Sequence, residues 1–341
     1  MKPASGYYIS KNYNNPFTAS SKAKLDAEVI LKEYGYLNLG LSPSTIDNYL
    51  GTFRTFVSNL IGIIRMPVGK IVLFQFPQHN LGWKFKLTKL KRNKTIILIH
   101  DINYLRFKRK KDLKYLKQAD YLICHNNKMK EWLVKVGINK EGRISCLELF
   151  DYIANPTDSE ISIPEFDKKN IRIAFVGNLA KSSFLNQCHF DFIKLKLFGI
   201  KGDNLNFGKG VEYSGCYHPE DLHKHLDSNF GLIWDGDSTD HNNGILGEYL
   251  RYISPHKLSM YLSAGLPVIV SEESAVADFV KDHKIGITIN SLQEIESKLL
   301  SLSEEKYRHI KNNVSPIRKK VLEGYFLKKA LKEMSTKISE D

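Results

Sequence analysis

A chain of 341 residues is long enough for two domains with a core each, and its 42% hydrophobic content excludes wholesale disorder. Four scattered cysteines (Cys124, Cys146, Cys188, Cys216) offer no C-x-x-C pair and no ligand spacing with histidine, which argues against a disulfide framework and for reduced thiols in the cytoplasm. The net charge of +13 is uneven: residues 51–150 hold 21 Lys/Arg against 6 Asp/Glu, and residues 151–300 hold 14 against 21.

No run approaches the roughly 18 apolar residues of a membrane span, and no signal peptide opens the sequence, so a cytoplasmic protein is expected. The basic runs Lys84–Lys94 and Arg106–Lys117 are rich in lysine, without a helix-turn-helix, zinc or RNP signature. Nucleic acid is therefore not an expected partner. The basic half reads either as a solvated helical face or as a surface drawn to an anionic inner-membrane face or a polyanionic acceptor.

In chain order, Lys70–Pro77 predicts a strand ended by proline, Thr95–Asp101 a second and Ala119–Cys124 a third. Each is followed by a polar turn and a helical pattern, such as Asn127–Val136 closed by Gly137. Continuous apolar strands between helices indicate a parallel sheet covered on both faces. The pattern weakens between Asp151 and Lys169, around Pro156 and Pro164, and reads there as a linker. It restarts with a strand at Asn170–Val176 running into Gly177-Asn178, and another at Phe230–Trp234 running into Asp-Gly-Asp. A helix and strand over 255–270, a segment Ala275–Lys281 and a helix Leu292–Leu302 follow. The expected organisation is α/β: an N-terminal domain over 1–160, a C-terminal domain over 161–315, and a basic terminal helix within 316–341. The two domains are expected to be Rossmann-like and to face each other across a cleft, with ligands at the carboxyl ends of the strands.

The segment Ser254 to Val270 carries most information. Ser254 can cap a helix, Pro255 suits its first position, and Gly265 can end it in the left-handed conformation. The helix start would offer backbone N–H groups and a positive dipole end, with Lys257 and His256 beside them, as a site for a diphosphate. Gly177, Asn178 and Lys181 form a turn directly after a strand, where glycine lets backbone approach a phosphate. Asp235, Gly236 and Asp237 end another strand. A D-x-D pair can chelate a divalent metal. With no third carboxylate ligand in sight, the metal-free reading is preferred, the carboxylates bonding sugar hydroxyls or ordering the loop. In the first domain His100 and Asp101 end an apolar strand and are candidates for a general base. Gln75 and His79 end the preceding strand and suit an acceptor sugar. His218, His223 and His225 read as a solvated helix.

These motifs resemble the bacterial sugar transferases of cell-surface polysaccharide and adhesin glycosylation. The likeness is to the β-1,6-galactofuranosyltransferases and, more distantly, to the glucosyltransferase 3 enzymes of serine-rich adhesins. It rests on Phe74–Pro77, Ile99–Ile102, Ala119–Asn126, Phe150–Tyr152, Val176–Asn178, Phe230–Ser238, Gly247–Leu250 and Pro255–Val270, within about residues 70–290. The resemblance implies a GT-B fold, with the N-terminal domain binding the acceptor and the C-terminal domain the UDP-sugar, and a metal-independent transferase with no cofactor beyond that UDP-sugar co-substrate. The hexose would be glucose or galactofuranose, and the acceptor a GlcNAc-bearing adhesin or a lipid-linked glycan. It places Lys181 (lysine where the relatives carry arginine), Tyr217 and Lys257 against UDP. The paired glutamates of many retaining GT-B enzymes are replaced by Tyr252 and Met260, so the implied chemistry is inversion. Peripheral membrane contact and a homo-oligomer fit this reading. The alternatives are a non-catalytic nucleotide-sugar-binding partner of another transferase and a metal-dependent D-x-D enzyme.

Overall fold

The structure, a computed structural model, describes residues 6–10, 19–40, 49–78, 81–138, 141–154, 163–202 and 205–341. The chain forms two compact units, Met1–Glu148 with Gly324–Asp341, and Leu149–Glu323. The division thus falls at 148/149 and 323/324 rather than near 160 and 316. Leu149, Phe150 and Tyr152 are buried within the second unit, and Tyr152 N donates to Val321 O at 3.1 Å, so the start of the expected linker is already packed chain.

The first unit runs β1 (Gly6–Tyr8), α1 (Ala19–Glu33), β2 (Tyr36–Asn38), α2 (Tyr49–Arg65), β3 (Ile71–Phe76), α3 (Leu81–Leu90) and β4 (Lys94–Ile99). It continues with α4 (Asn103–Phe107), α5 (Lys110–Gln118), β5 (Tyr121–Cys124), α6 (Asn127–Lys135) and β6 (Ile144–Cys146). The strands pair in parallel in the order β2-β1-β3-β4-β5-β6. β3, β4 and β5 are buried almost throughout, as apolar runs covered on both faces require. Three predicted strands are present within two residues of their expected ends. The elements before residue 70 were not foreseen; β1 and β2, at three residues each, leave no readable period.

The second unit runs β7 (Ile171–Val176), β8 (Ile193–Phe198), β9 (Val211–Gly215), β10 (Phe230–Ile233), α7 (Gly244–Leu250), α8 (His256–Ser263) and β11 (Val268–Ser271). It closes with α9 (Ala277–Asp282), β12 (Gly286–Ile289), α10 (Ile295–Ser301) and α11 (Glu304–Leu322). Its parallel sheet has the order β12-β11-β10-β7-β8-β9 over a core including Phe175, Leu195, Phe230, Leu232 and Trp234.

The tail is two helices rather than one. Gly324, at φ +71, ends α11, and α12 (Tyr325–Glu340) returns to the first unit, burying Phe326, Leu327, Ala330, Leu331 and Met334. A Cβ at Gly324 would lie 2.7 Å from Ile30, so both conformation and space favour glycine there.

Strand order locates the sites. In open parallel sheets a crevice forms where successive strands diverge to opposite sides. In the second unit this happens between β7 and β10, whose carboxyl ends lead into Gly177-Asn178 and Trp234–Asp237. In the first unit it happens between β1 and β3, beside Ser10 and Gln75.

Candidate functional site

Helix α8 is fixed over the β7–β10 divergence by Tyr261, a residue the sequence reading did not single out. Its ring is fully buried, its hydroxyl donates to Leu232 O at 3.2 Å, and it accepts from Val176 N at 2.9 Å. Burial pushes this hydroxyl far above the ordinary tyrosine range, so it stays protonated. The ring lies against Gly231, where a Cβ would meet it at 2.3 Å. Glycine inside a buried strand is the signal that could have revealed this close approach.

The N-terminus of α8 therefore stands at the strand ends. Its cap differs from expectation by one position: Pro255 is the N-cap, at φ −69 and ψ 136, without a side-chain cap bond, and His256 is the first helical residue. Proline has no N–H to leave unsatisfied, and Ser254 is buried one residue outside. At the other end Gly265 takes φ +79, and Leu266 N bonds Tyr261 O at 2.9 Å, the left-handed stop foreseen from sequence. His256 is packed rather than presented, its ring 5.3 Å from that of Tyr152 and 6.1 Å from that of Phe150.

Lys257 leans on the end of β10. Its Nζ lies 3.0 Å from Asp235 Oδ2 and 3.2 Å from Trp234 O, and 5.0 Å from the centre of the Phe175 ring. Two of the three ammonium donors are thereby directed, which holds the cation at the mouth of the sheet. Asp237 serves the loop: its Oδ1 accepts from Ser183 Oγ at 2.9 Å, its carbonyl accepts from Gln187 Nε2 at 3.0 Å, and its N–H donates to Asn243 Oδ1 at 2.9 Å. Gly236, at φ +130, makes this reversal, and a Cβ there would sit 2.6 Å from Asn243 O. The Ser183–Asp237 bond ties the turn after β7 to the loop after β10, so Gly177, Asn178, Asp235–Asp237 and Lys257 gather at one edge. Lys181 ends the short 3-10 turn Leu179–Lys181 with its side chain in solvent.

Tyr217 follows β9 and stacks on His225, ring centres 3.7 Å apart and planes 13° from parallel. His225 belongs to a 3-10 turn, Leu222–His225, that packs on α8. The expected solvated helix is thus replaced by a packed turn in which His223 is only 2% exposed.

In the first unit Gln75 is 1% exposed, and its amide points inward rather than toward an acceptor as expected. Its Nε2 donates to Lys24 O and to Glu28 Oε1, both at 3.3 Å, while Oε1 stands 2.7 Å from His100 Nε2. Glu28 in turn accepts from Ser10 Oγ at 2.8 and 2.9 Å. Because a carbonyl and a carboxylate fix which end of the amide is NH₂, Oε1 is the end that meets His100, and neutral His100 carries its proton on Nε2. Asp101, with 27% of its side chain exposed, pairs with Arg106 at 3.0 Å. Behind them His125 is 2% exposed, and burial pushes its imidazole down to about 3, so it is neutral at physiological pH. His79 lies outside the described residues.

A family model described as glucosyltransferase 3-like, N-terminal domain, matches residues 6–146, and one described as glucosyltransferase 3-like, C-terminal domain, matches residues 173–334. The chain is 30% identical over 325 residues to the β-1,6-galactofuranosyltransferase WbbI of Escherichia coli K12, covering 93% of this chain and 94% of that one. It is 27% identical over 321 residues to glucosyltransferase 3 of Streptococcus gordonii, covering 91% and 92%. Among solved structures, an α,α-trehalose 6-phosphate synthase from Burkholderia multivorans superposes with a TM-score of 0.62 at 10% identity, over 99% and 98% of the two chains. The pair of parallel-sheet units is the GT-B fold.

Proposed function

The chain belongs to the glucosyltransferase 3-like family and is a glycosyltransferase, and from that footing we propose that it moves a hexose from a UDP-sugar to a glycan acceptor by inversion, without a metal ion. The hexose is glucose or galactofuranose, as in the names of its relatives. The acceptor is a GlcNAc-bearing adhesin or a lipid-linked glycan, with contact at the inner membrane face and self-association as part of the same reading.

The observation that carries the proposal is the placement of Lys257. It stands at the first turn of α8, over the point where β7 and β10 diverge, already oriented by Asp235 and Trp234 O. Backbone N–H groups at a helix start together with a lysine suit the diphosphate of UDP, and the same groups stabilise charge that develops on the leaving UDP. Both carboxylates of the D-x-D pair are engaged by protein groups, Asp235 by Lys257 and Asp237 by Ser183, which supports the metal-free reading. Tyr217, on a partly exposed stacked platform, and Lys181, in solvent after β7, are assigned to the same donor.

Inversion takes one displacement. The acceptor oxygen attacks the anomeric carbon, the bond to UDP breaks, and a base takes the acceptor proton. Of the two candidates, Asp101 has the more accessible side chain, and Arg106 orients its carboxylate. His100 is held behind it by Gln75. Asp101 is therefore assigned as the base and His100 as a positioning residue.

A panel of UDP-sugars assayed by released UDP, with and without EDTA, tests the reading. Turnover of one UDP-hexose in EDTA is expected. Asp101→Asn should lower turnover about 10²–10⁴-fold with UDP affinity unchanged. Strict manganese dependence would favour the metal-dependent enzyme, and UDP binding without turnover on any acceptor would favour the non-catalytic partner.

A further inference from the structure

Helix α2 is attached to its unit by a narrow face. Asn59 and Ile63 are buried, and Gly62 approaches the chain just after β2 so closely that a Cβ would lie 1.9 Å from Leu39 O. A helix lying on a domain normally turns its apolar side inward and its polar side to water. α2 does otherwise: Leu50 is 75% exposed, Phe53 64%, Ile61 42% and Ile64 61%, recurring at helical spacing along the outer surface. Val68, just beyond the helix, is also exposed. Among the described residues, nothing in the packing of the unit requires apolar groups there.

Charge says what covers this face. Arg54 and Arg65 line one groove of about 700 Å³ together with Val57, Ser58 and Ile61 of the same helix. Neighbouring α3 meets α2 through an edge contact of Trp83 with Phe56, ring centres 5.1 Å apart. Beyond it lies a second hollow of about 990 Å³ with Lys86, Lys89, Lys110, Lys111 and Lys114 around Phe85, Leu90 and Tyr115. From residue 49 through residue 100 the sequence contains no Asp or Glu. Asp120 pairs with Lys89 at 3.2 Å and Asp112 lies within α5, but the cations outnumber these acids, and apolar and aromatic side chains flanked by Lys and Arg are the composition of a helix lying in a lipid headgroup layer. A second copy docked symmetrically on this face would set arginine and lysine against arginine and lysine. A nucleic acid would pair with the cations but leave Leu50, Phe53 and Ile64 in water.

We propose that the outer face of α2, with the lysine-lined hollow beside α3 and α5, docks on an anionic lipid bilayer. The helix lies on the surface: it holds Arg54 and Arg65, and no described helix is long and apolar enough to cross a membrane. This gives a location to the membrane contact left general in the proposed function and rests on that reading only for its role, since lipid binding is measured apart from sugar transfer.

The full chain is sedimented with phosphatidylglycerol–phosphatidylcholine vesicles and with phosphatidylcholine vesicles. Binding to the anionic vesicles is expected, weakened by salt and more than about tenfold poorer on the neutral ones. Replacing Arg54→Ala and Arg65→Ala together should weaken it on the order of twentyfold. Leu50→Ser with Phe53→Ser and Ile64→Ser should abolish it, with circular dichroism and UDP affinity unchanged because these side chains are already in solvent. Equal binding to both vesicles, no binding, or binding indifferent to the substitutions would overturn the proposal. So would a dimer, seen by sedimentation equilibrium, that dissociates in the Leu50/Phe53/Ile64 variant while vesicle binding is absent. If lipid binding holds and UDP-sugar turnover fails, the transferase reading falls and this one stands.

Discussion

Gln75 turns its carbonyl oxygen to His100, 2.7 Å from Nε2, because Lys24 O and Glu28 claim its NH₂ group. One buried amide thus fixes the proton of an imidazole at the end of β4, next to the proposed base. Nitrogen-15 NMR of the histidine rings should find neutral His100 protonated on Nε2. Gln75→Leu should release that preference and lower turnover about tenfold through misplacement of the strand end, with UDP affinity unchanged. A wild-type spectrum with the proton on Nδ1 would contradict the assigned amide orientation.

Lys257 and Asp235 give a second test, since they form one pair 3.0 Å apart. Lys257→Ala should weaken UDP binding by roughly 1.5–3 kcal/mol, the usual range for losing a hydrogen bond to a charged group. Asp235→Asn should cost less, because Trp234 O still directs the ammonium, and turnover in EDTA should persist. Titration calorimetry with UDP on both single variants and the double variant measures their coupling. An additive double variant would mean that Asp235 does not position Lys257.

Much of this arrangement was legible in the sequence. Apolar runs such as Ile71–Phe76 and Tyr121–Cys124 announce buried parallel strands, and Gly265 announces the end of α8. The gathering of the 177, 235 and 257 segments followed from the position of the first two after strands and of the third at a helix start. What stayed hidden depends on contacts between distant segments. Glu28 sits on α1, and nothing in its sequence neighbours points to Gln75, 47 positions away. The exchange of α12 back to the first unit turns on one glycine, because α11 and α12 read as a continuous basic amphipathic stretch until Gly324 takes φ +71. Gln75 was misread for a related reason: a polar residue at a strand end looks available to ligand, and only the fold shows a carboxylate behind it.

The Tyr261–Gly231 contact predicts a site effect larger than its stability effect. Gly231→Ala places a methyl group 2.3 Å from the ring, so α8 must shift or the ring must leave its rotamer. Overpacking of this kind typically costs about 1–3 kcal/mol. Displacing α8 moves Lys257 too, so UDP affinity should fall in Gly231→Ala even well below its melting temperature. Tyr261→Phe should keep the packing but leave Val176 N without its acceptor, costing about 1–3 kcal/mol. Thermal melts with and without UDP separate the two effects. Unchanged UDP affinity in Gly231→Ala would show that α8 is not held by this contact.

Lys84, on α3, gives a prediction in pH. The side chain is buried, and desolvation lowers its ammonium from 10.5 to about 8. Between those values the unfolded chain holds a proton that the folded chain has released, so this group makes stability rise with pH from about 8 to 10.5. Below about 8 the folded state carries the desolvated charge in full, and the penalty is constant. The change across the window is about 3 kcal/mol. Buried tyrosines and cysteines oppose it at high pH, so the effect is read as the difference between the wild type and Lys84→Met, in which their contributions cancel. The variant should be the more stable of the two at pH 7, and urea melts at successive pH values should show its advantage shrinking as pH rises through 8 to 10. A difference independent of pH would mean that the Lys84 ammonium reaches water and keeps its ordinary proton affinity.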